Sequence, residues 1–254
     1  MPILEAKNLI KIYNPDTDIE CLALDDVSLN VEEGDFVAIM GPSGSGKTTL
    51  LNCLSSIDRP TKGSVKLLDQ FIYALDDVEL ARLRNNYFGY IFQDFNLVDV
   101  LTVAENVSLP LLVSGEYSAK QIKEKTEEVL DLLGIRMCKD KTAKQCSVGQ
   151  RQRAAIARAL VNHPKLIVAD EPTGNLDSRN SHEFLRILSE LNKKERVSVI
   201  MVTHDPTIGS YAERLLYIKD GRICQEIARN GKSQKEYYQK IVELSLDQRT
   251  QLDF

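Results

Sequence analysis

The chain has 254 residues, and its 43% hydrophobic and 27% charged residues are typical of a globular protein with an apolar core, which excludes a disordered chain. Its 32 basic and 37 acidic residues give a net charge of −5, which disfavours binding to nucleic acid through the phosphates. No apolar run approaches the roughly 18 residues of a membrane-spanning helix. The 5 cysteines are scattered and never spaced C-x-x-C, which indicates reduced cytosolic thiols rather than disulfides or a zinc site.

The first part of the sequence predicts mainly strands. Polar and apolar residues alternate in the N-terminal segments, and a continuous apolar run before a glycine-rich turn is typical of a buried parallel strand. A helical segment follows that turn. The predicted strands cover residues 3–13, 21–31, 36–40, 64–68 and 90–92, and the predicted helix covers residues 47–57.

The middle of the sequence, from about residue 101 to residue 160, is helical and poor in glycine. A capping box of Ser118 and Gln121 begins one helix, which ends at Gly134. Ser147 begins a second helix, which ends near Pro164. Strands and helices then alternate again, with strands over 166–169, 198–202, 215–218 and the following RICQEI segment, and a helix over 181–191.

This alternation predicts an α/β fold with a mainly parallel sheet, into which the helical middle is inserted. We predict one domain with a core from about 1–92 and 161–229, a helical subdomain over about 93–160, and a C-terminal helix and tail over 230–254. Apolar residues of the tail recur at helical spacing, which core packing explains better than a cofactor contact. They are Tyr237, Tyr238, Ile241 and Leu244.

The sequence GPSGSGKT at residues 41–48 fits the pattern G-x-x-x-x-G-K-[ST] of a phosphate-binding loop. Glycines let backbone N–H groups turn towards phosphate oxygens, and the helix that follows presents its positive end. A chance match in a chain of this composition is about one in a hundred. Lys47 is expected near the β and γ phosphates, and the Thr48 hydroxyl on Mg²⁺. The predicted nucleotide contacts are Gly41, Pro42, Ser43, Gly44, Ser45, Gly46, Lys47, Thr48 and Thr49.

Two carboxylates, Asp170 and Glu171, end a predicted buried strand. Asp170 is placed to hold Mg²⁺, and Glu171 to polarise the attacking water. A solvated acidic turn would explain such a pair on its own, but the phosphate loop favours the catalytic interpretation. His204 alone of the histidines follows a strand at its carboxyl end, where open α/β sheets place ligands, whereas His163 and His182 are expected to be structural or solvated.

These motifs, in this order, resemble the nucleotide-binding subunit of an ATP-binding cassette (ABC) transporter. The resemblance includes the phosphate loop, Gln93 in YIFQDFNL, CSVGQRQR at 146–153, LIVADEP, the loop 174–177 and His204. It implies a P-loop NTPase of ABC type, with an N-terminal antiparallel β subdomain and an inserted helical subdomain. It also implies two identical or paralogous subunits, head to tail, around two ATP molecules.

The resemblance further assigns site residues. Gln93 joins Thr48 and Asp170 at Mg²⁺, His204 contacts the γ-phosphate, and Tyr13 stacks on the adenine, although an edge-strand aromatic remains the alternative for Tyr13. The second subunit supplies contacts across the dimer from Ser147, Gly149, Gln150 and Asp177. Catalysis is expected from Glu171, His204 and Lys47.

The segments SSIDRPTKG and VTHDP resemble the exporter branch of macrolide-efflux and lipoprotein-releasing ATPases. Within it, IMVTHDPTIGSYAERLLYIKDG and KSQKEYYQKI are most similar to bacitracin-type peptide-antibiotic resistance ATPases. Those work with a ten-helix permease and often a sensor kinase. The resemblance implies a cytoplasmic subunit, peripheral on the inner face of the membrane, whose partners do not include nucleic acid.

One departure from the family pattern is Val148, because the usual signature Leu-Ser-Gly-Gly-Gln reads CSVGQ here. This departure puts the rate of ATP hydrolysis by the closed dimer in doubt, and it leaves open a nucleotide-dependent binding switch with little hydrolysis. A soluble ABC ATPase acting on DNA or ribosomes is disfavoured by the acidic charge and the absence of a coiled-coil insertion. A P-loop kinase has no use for Gln93 or the signature.

An apolar set follows Gln93 in a segment that is expected at the surface. Clusters of this kind often mark partner sites, although packing under the helical subdomain is the alternative. We predict that the set lines a groove for a cytoplasmic helix of the permease. It consists of Phe95, Leu97, Val98 and Leu101.

Overall fold

The computed structural model describes residues 2–174 and 176–250, and for residues 248–250 the backbone alone. Met1, Asn175 of the predicted 174–177 loop and residues 251–254 of the predicted tail lie outside the described residues. The chain divides into two compact units, one of Met1–Ala74 with Ser189–Phe254 and one of Leu75–Leu188. Among the described residues, no helix combines the length and the apolar character that crossing a bilayer requires.

The first unit contains an antiparallel sheet built from the N-terminal strands. Its order is β2-β1-β4-β5, and side chains on its inner face, such as Leu4 and Leu24, are fully buried. Irregularities in the pairing of β1 with β2 and β4 bend this sheet. Its strands are β1 (Pro2–Tyr13), β2 (Cys21–Glu32), β4 (Lys62–Leu67) and β5 (Gln70–Phe71).

A second set of strands in the same unit has the order β10-β9-β3-β8. The central strand β3 is parallel to both neighbours and is buried along its whole length, as expected for a strand covered on both faces. These strands are β3 (Phe36–Met40), β8 (Ser198–Thr203), β9 (Arg214–Lys219) and β10 (Arg222–Ala228). The helices of this unit are α1 (Lys47–Leu54), the single turn α7 (Pro206–Gly209) and α8 (Gln234–Thr250).

The second unit is mainly helical. Its two strands, β6 (Phe88–Ile91) and β7 (Leu166–Asp170), are parallel and pair with each other. The boundary between the two units falls within its last helix, α6 (Ser178–Glu195). Capping boxes begin α2, α3, α4 and α5, so both partners of each box satisfy backbone N–H groups at the helix ends. The helices are α2 (Asp77–Tyr87), α3 (Val103–Ser114), α4 (Ala119–Leu132), α5 (Val148–Leu160) and α6 (Ser178–Glu195).

The α/β architecture with a mainly parallel sheet, an antiparallel N-terminal sheet and a helical segment confirms the predicted fold class. Two predicted helices differ in length. The first ends at Leu54 rather than at residue 57, because Ser56 adopts a left-handed conformation with φ 63°. Helix α6 is longer than predicted, since the Asp177 side chain already accepts a hydrogen bond from the Asn180 N–H at its first turn. The predicted boundaries of the subdomains stay a prediction.

Candidate functional site

The phosphate loop lies in the first unit, between the end of β3 and the start of α1. Two of its positions admit only glycine. A Cβ at Gly41 would collide with the carbonyl oxygen of Ile218, and one at Gly46, whose φ is 98°, would collide with the carbonyl oxygen of Ala23. Neighbouring backbone thus leaves no room for a side chain at either position, and the positive φ of Gly46 is one that glycine adopts readily.

The polar atoms of this loop fit a bound triphosphate. The Oγ of Ser45 is buried and finds no hydrogen-bond partner among the described residues. Lys47 is only 6% exposed, and its Nζ donates to the carbonyl oxygen of Pro42, 2.7 Å away, at the rim of the loop. A buried ammonium, a buried hydroxyl and a helix N-terminus together suit an anion, which a solvated turn would not need. Thr48 is exposed beside them.

His204 follows β8 directly, and the strand register brings it near the phosphate loop within the same unit. Met40 and Thr203 are register partners on the parallel strands β3 and β8, so Gly41 and His204 leave adjacent strand ends. The side chain of His204 is exposed, and Asp205 after it caps α7. The loop and the histidine therefore leave neighbouring strand ends, and the γ-phosphate contact of His204 stays a prediction.

Asp170, Glu171 and Gln93 lie in the second unit. Asp170 ends β7, and Glu171 then adopts a left-handed conformation with φ 41°, which is strained for a residue with a side chain. The carbonyl oxygen of Glu171 accepts a hydrogen bond from the N–H of Gly174 at 3.0 Å. A Cβ at Gly174 would lie 2.9 Å from Nε2 of Gln93. This unit therefore brings Gln93 against the loop that starts at Glu171.

The signature residues form the start of α5 in the second unit. Ser147 is exposed, and its Oγ accepts from the N–H of Gln150 at 3.3 Å, while Oε1 of Gln150 accepts from the N–H of Ser147 at 3.0 Å. A Cβ at Gly149 would lie 3.3 Å from Oδ1 of Asn180, whose side chain bonds to Asp177 at 2.9 Å. The four residues predicted to act across the dimer therefore cluster on one unit.

Phe95 contradicts the predicted exposure of the segment after Gln93. Its ring is 6% exposed, and the guanidinium of Arg151 lies 6.0 Å from the ring centroid. Val98, by contrast, is 42% exposed and Val100 80%. The phenylalanine is a packing residue, because its ring is buried; the backbone at Phe95 and Asn96 is left-handed.

Two residues that the sequence analysis did not single out support these segments. Arg158 on α5 donates to the carbonyl oxygens of Phe95 at 2.7 Å and of Asn96 at 2.5 Å, and burial lowers the pKa of Arg158. Nothing in the sequence around Arg158 marks this contact, since its partners lie more than sixty residues away. The position of Asn180 was recognisable, because Asp177 is a preferred residue at a helix start and accepts from the backbone N–H of Asn180.

A phosphate loop on a parallel strand, with a histidine at the adjacent strand end, defines a P-loop nucleotide-binding protein. The family model described as "ABC transporter" matches residues 24–174, and the chain belongs to that family. It is an ABC-type ATPase that binds ATP with Mg²⁺, and its fold is the P-loop NTPase fold of ABC type.

Among its relatives, the bacitracin export ATP-binding protein BceA of Halalkalibacterium halodurans is 44% identical over 242 residues, 95% of this chain and 95% of that protein. The macrolide export ATP-binding/permease protein MacB of Syntrophobacter fumaroxidans is also 44% identical, over 89% of this chain but 32% of its own length. A solved dimeric structure of the ATP-binding cassette MJ0796 in a post-hydrolysis state, bound to ADP and Pi, has a TM-score of 0.81 and 40% identity. That match covers 89% of this chain and 98% of the solved one.

Proposed function

We propose that this ATPase powers a membrane ABC transporter that exports or detaches antimicrobial peptides of the bacitracin type. The observation that carries the proposal is the 44% identity to BceA along 95% of both chains. MacB is equally identical but continues far beyond the matched region. BceA, an ATP-binding protein, therefore matches this chain in extent as well as in identity.

The residues of the first unit bind the nucleotide in this proposal. Lys47 and the backbone of the phosphate loop hold the β and γ phosphates, the Thr48 hydroxyl ligates Mg²⁺, and His204 contacts the γ-phosphate. Tyr13 stacks on the adenine. The buried position of Lys47 supports its role, because an ammonium that is 6% exposed needs anionic partners more than a solvated one does.

The residues of the second unit supply the hydrolytic chemistry. Asp170 and Gln93 ligate Mg²⁺, which neutralises charge on the phosphates when it is bound. Glu171 takes a proton from the attacking water, and the strained backbone at this residue is of the kind that functional sites retain. Ser147, Gly149 and Asp177 serve the nucleotide of a second subunit, and the dimeric state of the MJ0796 cassette supports that arrangement.

The permease is expected to dock on the second unit. A cavity of about 360 Å³ opens there, and its lining mixes aromatic, aliphatic and cationic side chains, as a groove for an amphipathic helix requires. The lining includes Arg84, Phe92, Pro110, Val113 and Arg158. In this proposal the ATPase lies on the cytoplasmic face of the membrane, held there by the permease. A sensor kinase would be reached through the permease.

The test is transport-coupled hydrolysis in the full complex. The ATPase is co-purified with the permease of its transporter, reconstituted in liposomes, and assayed for ATP turnover with bacitracin, erythromycin or a lipoprotein. Bacitracin should stimulate turnover, and the Lys47→Ala complex should stay inactive with each compound. Stimulation by erythromycin alone would favour a macrolide exporter. Nucleotide-dependent assembly without turnover would favour a binding switch.

A further inference from the structure

Tyr13 is held in place by polar contacts within the first unit. It ends β1, and its hydroxyl donates to Oδ2 of Asp58 at 2.7 Å. The Thr49 side chain also hydrogen-bonds to the Tyr13 hydroxyl. Burial, followed by the bond to Asp58, raises the pKa of Tyr13, so the phenol stays neutral and keeps its proton for the carboxylate.

The other oxygen of the Asp58 carboxylate holds Lys11. Oδ1 accepts from Nζ of Lys11 at 2.6 Å, and the same ammonium donates to the carbonyl oxygen of Arg59 at 2.8 Å. Nζ of Lys11 lies 4.8 Å from the centroid of the Tyr13 ring. Burial opposes charge on Asp58, but the hydrogen bonds from Lys11 and Tyr13 outweigh it and lower the pKa of Asp58. The Asp58 carboxylate is thus charged, and it holds both the hydroxyl of Tyr13 and the Lys11 ammonium beside the Tyr13 ring.

Asp58 itself is fixed to the end of α1, the helix that begins at the phosphate loop. Its N–H donates to the carbonyl oxygen of Asn52 at 3.2 Å, and its carbonyl oxygen accepts from the Tyr73 hydroxyl at 2.6 Å. The Tyr73 hydroxyl also lies 2.6 Å from the carbonyl oxygen of Cys53. Helix α1 therefore has Lys47 at its start, and Asp58 lies just past its end.

We propose that Asp58 is the positioning residue that orients the Tyr13 ring for adenine, so that one helix sets the distance between the phosphate site and the base platform. The inference rests on the proposed role of Tyr13. Without the carboxylate, the Tyr13 ring gains rotational freedom, and the Lys11 ammonium loses the partner that holds it beside the ring. Ordering the ring on binding then costs free energy, which weakens the binding of ATP.

The experiment compares the affinities of the full chain for Mg-ATP and for Mg-tripolyphosphate, which lacks the base. Asp58→Ala should weaken ATP about fivefold, within the range that stacking of a base contributes, and leave tripolyphosphate unchanged. In a Tyr13→Ala background, Asp58→Ala should add no further loss for ATP. Glu5→Ala is the matched control, because Glu5 pairs with Lys7 on the same strand and far along it from Tyr13.

Tyr13→Phe keeps the Asp58–Lys11 pair and removes only the hydroxyl, so it tests the same contact if Asp58→Ala does not fold. It should weaken ATP but not tripolyphosphate. Equal losses for both ligands in either variant, or additive losses in the Tyr13→Ala background, overturn the positioning role. If Tyr13→Ala binds ATP as wild type does, the inference falls while the ATPase assignment stands. If wild type binds neither ligand, the proposed function itself is wrong.

Discussion

Val148 is the residue at which this chain departs from the signature of its family. It occupies the first turn of α5 and is 38% exposed, so its side chain is not packed away in the described part of its own subunit. Helix N-termini bind anions through free N–H groups, and close approach is needed. A β-branched side chain at this point is expected to hold the γ-phosphate of a facing nucleotide away from α5.

Val148→Gly should therefore raise the ATPase rate of the assembled complex about two- to tenfold, because a displacement of about 1 Å can cost on the order of a hundredfold in rate. Steady-state turnover of the reconstituted complex measures it. Val148→Ala is the control that keeps helix propensity while removing the branch, and it should give part of the gain. Turnover that stays the same or falls in a folded Val148→Gly complex would refute crowding.

At the scale of elements, Tyr237 anchors the last helix to the last strand. It is fully buried in α8, and its hydroxyl donates to the carbonyl oxygen of Ile227 in β10 at 3.0 Å. Tyr237→Phe should lower the free energy of unfolding by about 1–2 kcal/mol, because a buried hydrogen bond is lost. Urea denaturation measures this. Tyr238→Phe, at a 39% exposed neighbour, should change it by less than about 0.5 kcal/mol.

Tyr237 also predicts how the free energy of unfolding changes with pH. Burial, and next the charge of Glu213, raises the pKa of Tyr237 above its ordinary value near 10. Because the pKa of Tyr237 is higher in the folded state, its contribution to the free energy of unfolding is complete below the unfolded pKa. That contribution is lost as the pH rises above the unfolded pKa. Wild type should thus lose stability between about pH 10 and 11 faster than Tyr237→Phe does. Parallel declines would contradict the assignment.

Permease docking is better tested by mutating the exposed valines after Gln93 than by mutating Phe95. Phe95→Asp would bury a carboxylate and disturb the segment that Arg158 holds, so a loss of binding would not be informative. Val100→Asp alters a side chain that is 80% exposed and should reduce permease co-purification about tenfold, as loss of an interface anchor does. Leu132→Asp, 63% exposed on α4, is the control. Undiminished recovery with Val100→Asp would exclude this segment from the interface.

At the scale of the whole molecule, the residues predicted to serve a second nucleotide point to assembly. Glu171→Gln keeps the shape of the side chain but cannot accept a proton, so hydrolysis should fall by about a hundredfold or more while ATP binding persists. The expected species with Mg-ATP is a stable dimer on gel filtration. The Lys47→Ala/Glu171→Gln double variant should stay monomeric, since it lacks the phosphate contact. A Glu171→Gln protein that remains monomeric, or that still hydrolyses ATP, would refute the proposal.

The motifs that identify this chain, and most of its strands and helices, could be read from the sequence because their determinants are local. The phosphate loop occupies eight consecutive residues, β3 is one apolar run, and the capping boxes at Ser118 and Ser147 join residues three positions apart. Hydrogen bonds between residues three positions apart fix the capping boxes, and the spacing of the glycines and Lys47 marks the phosphate loop. The family and the fold class followed from them, and so did the prediction of the phosphate site.

The tertiary structure alone decided which side chains meet. Asp58 reaches Tyr13 from 45 positions away, Arg158 reaches Phe95 from 63, and Phe95 is buried where the sequence predicted exposure. These contacts depend on how separate elements pack, and packing is set by the shapes of many side chains together rather than by any one segment. The sequence by itself thus determined that the chain is an ABC ATPase and predicted its phosphate loop at 41–48, and packing decided how Tyr13 and the segment after Gln93 are held.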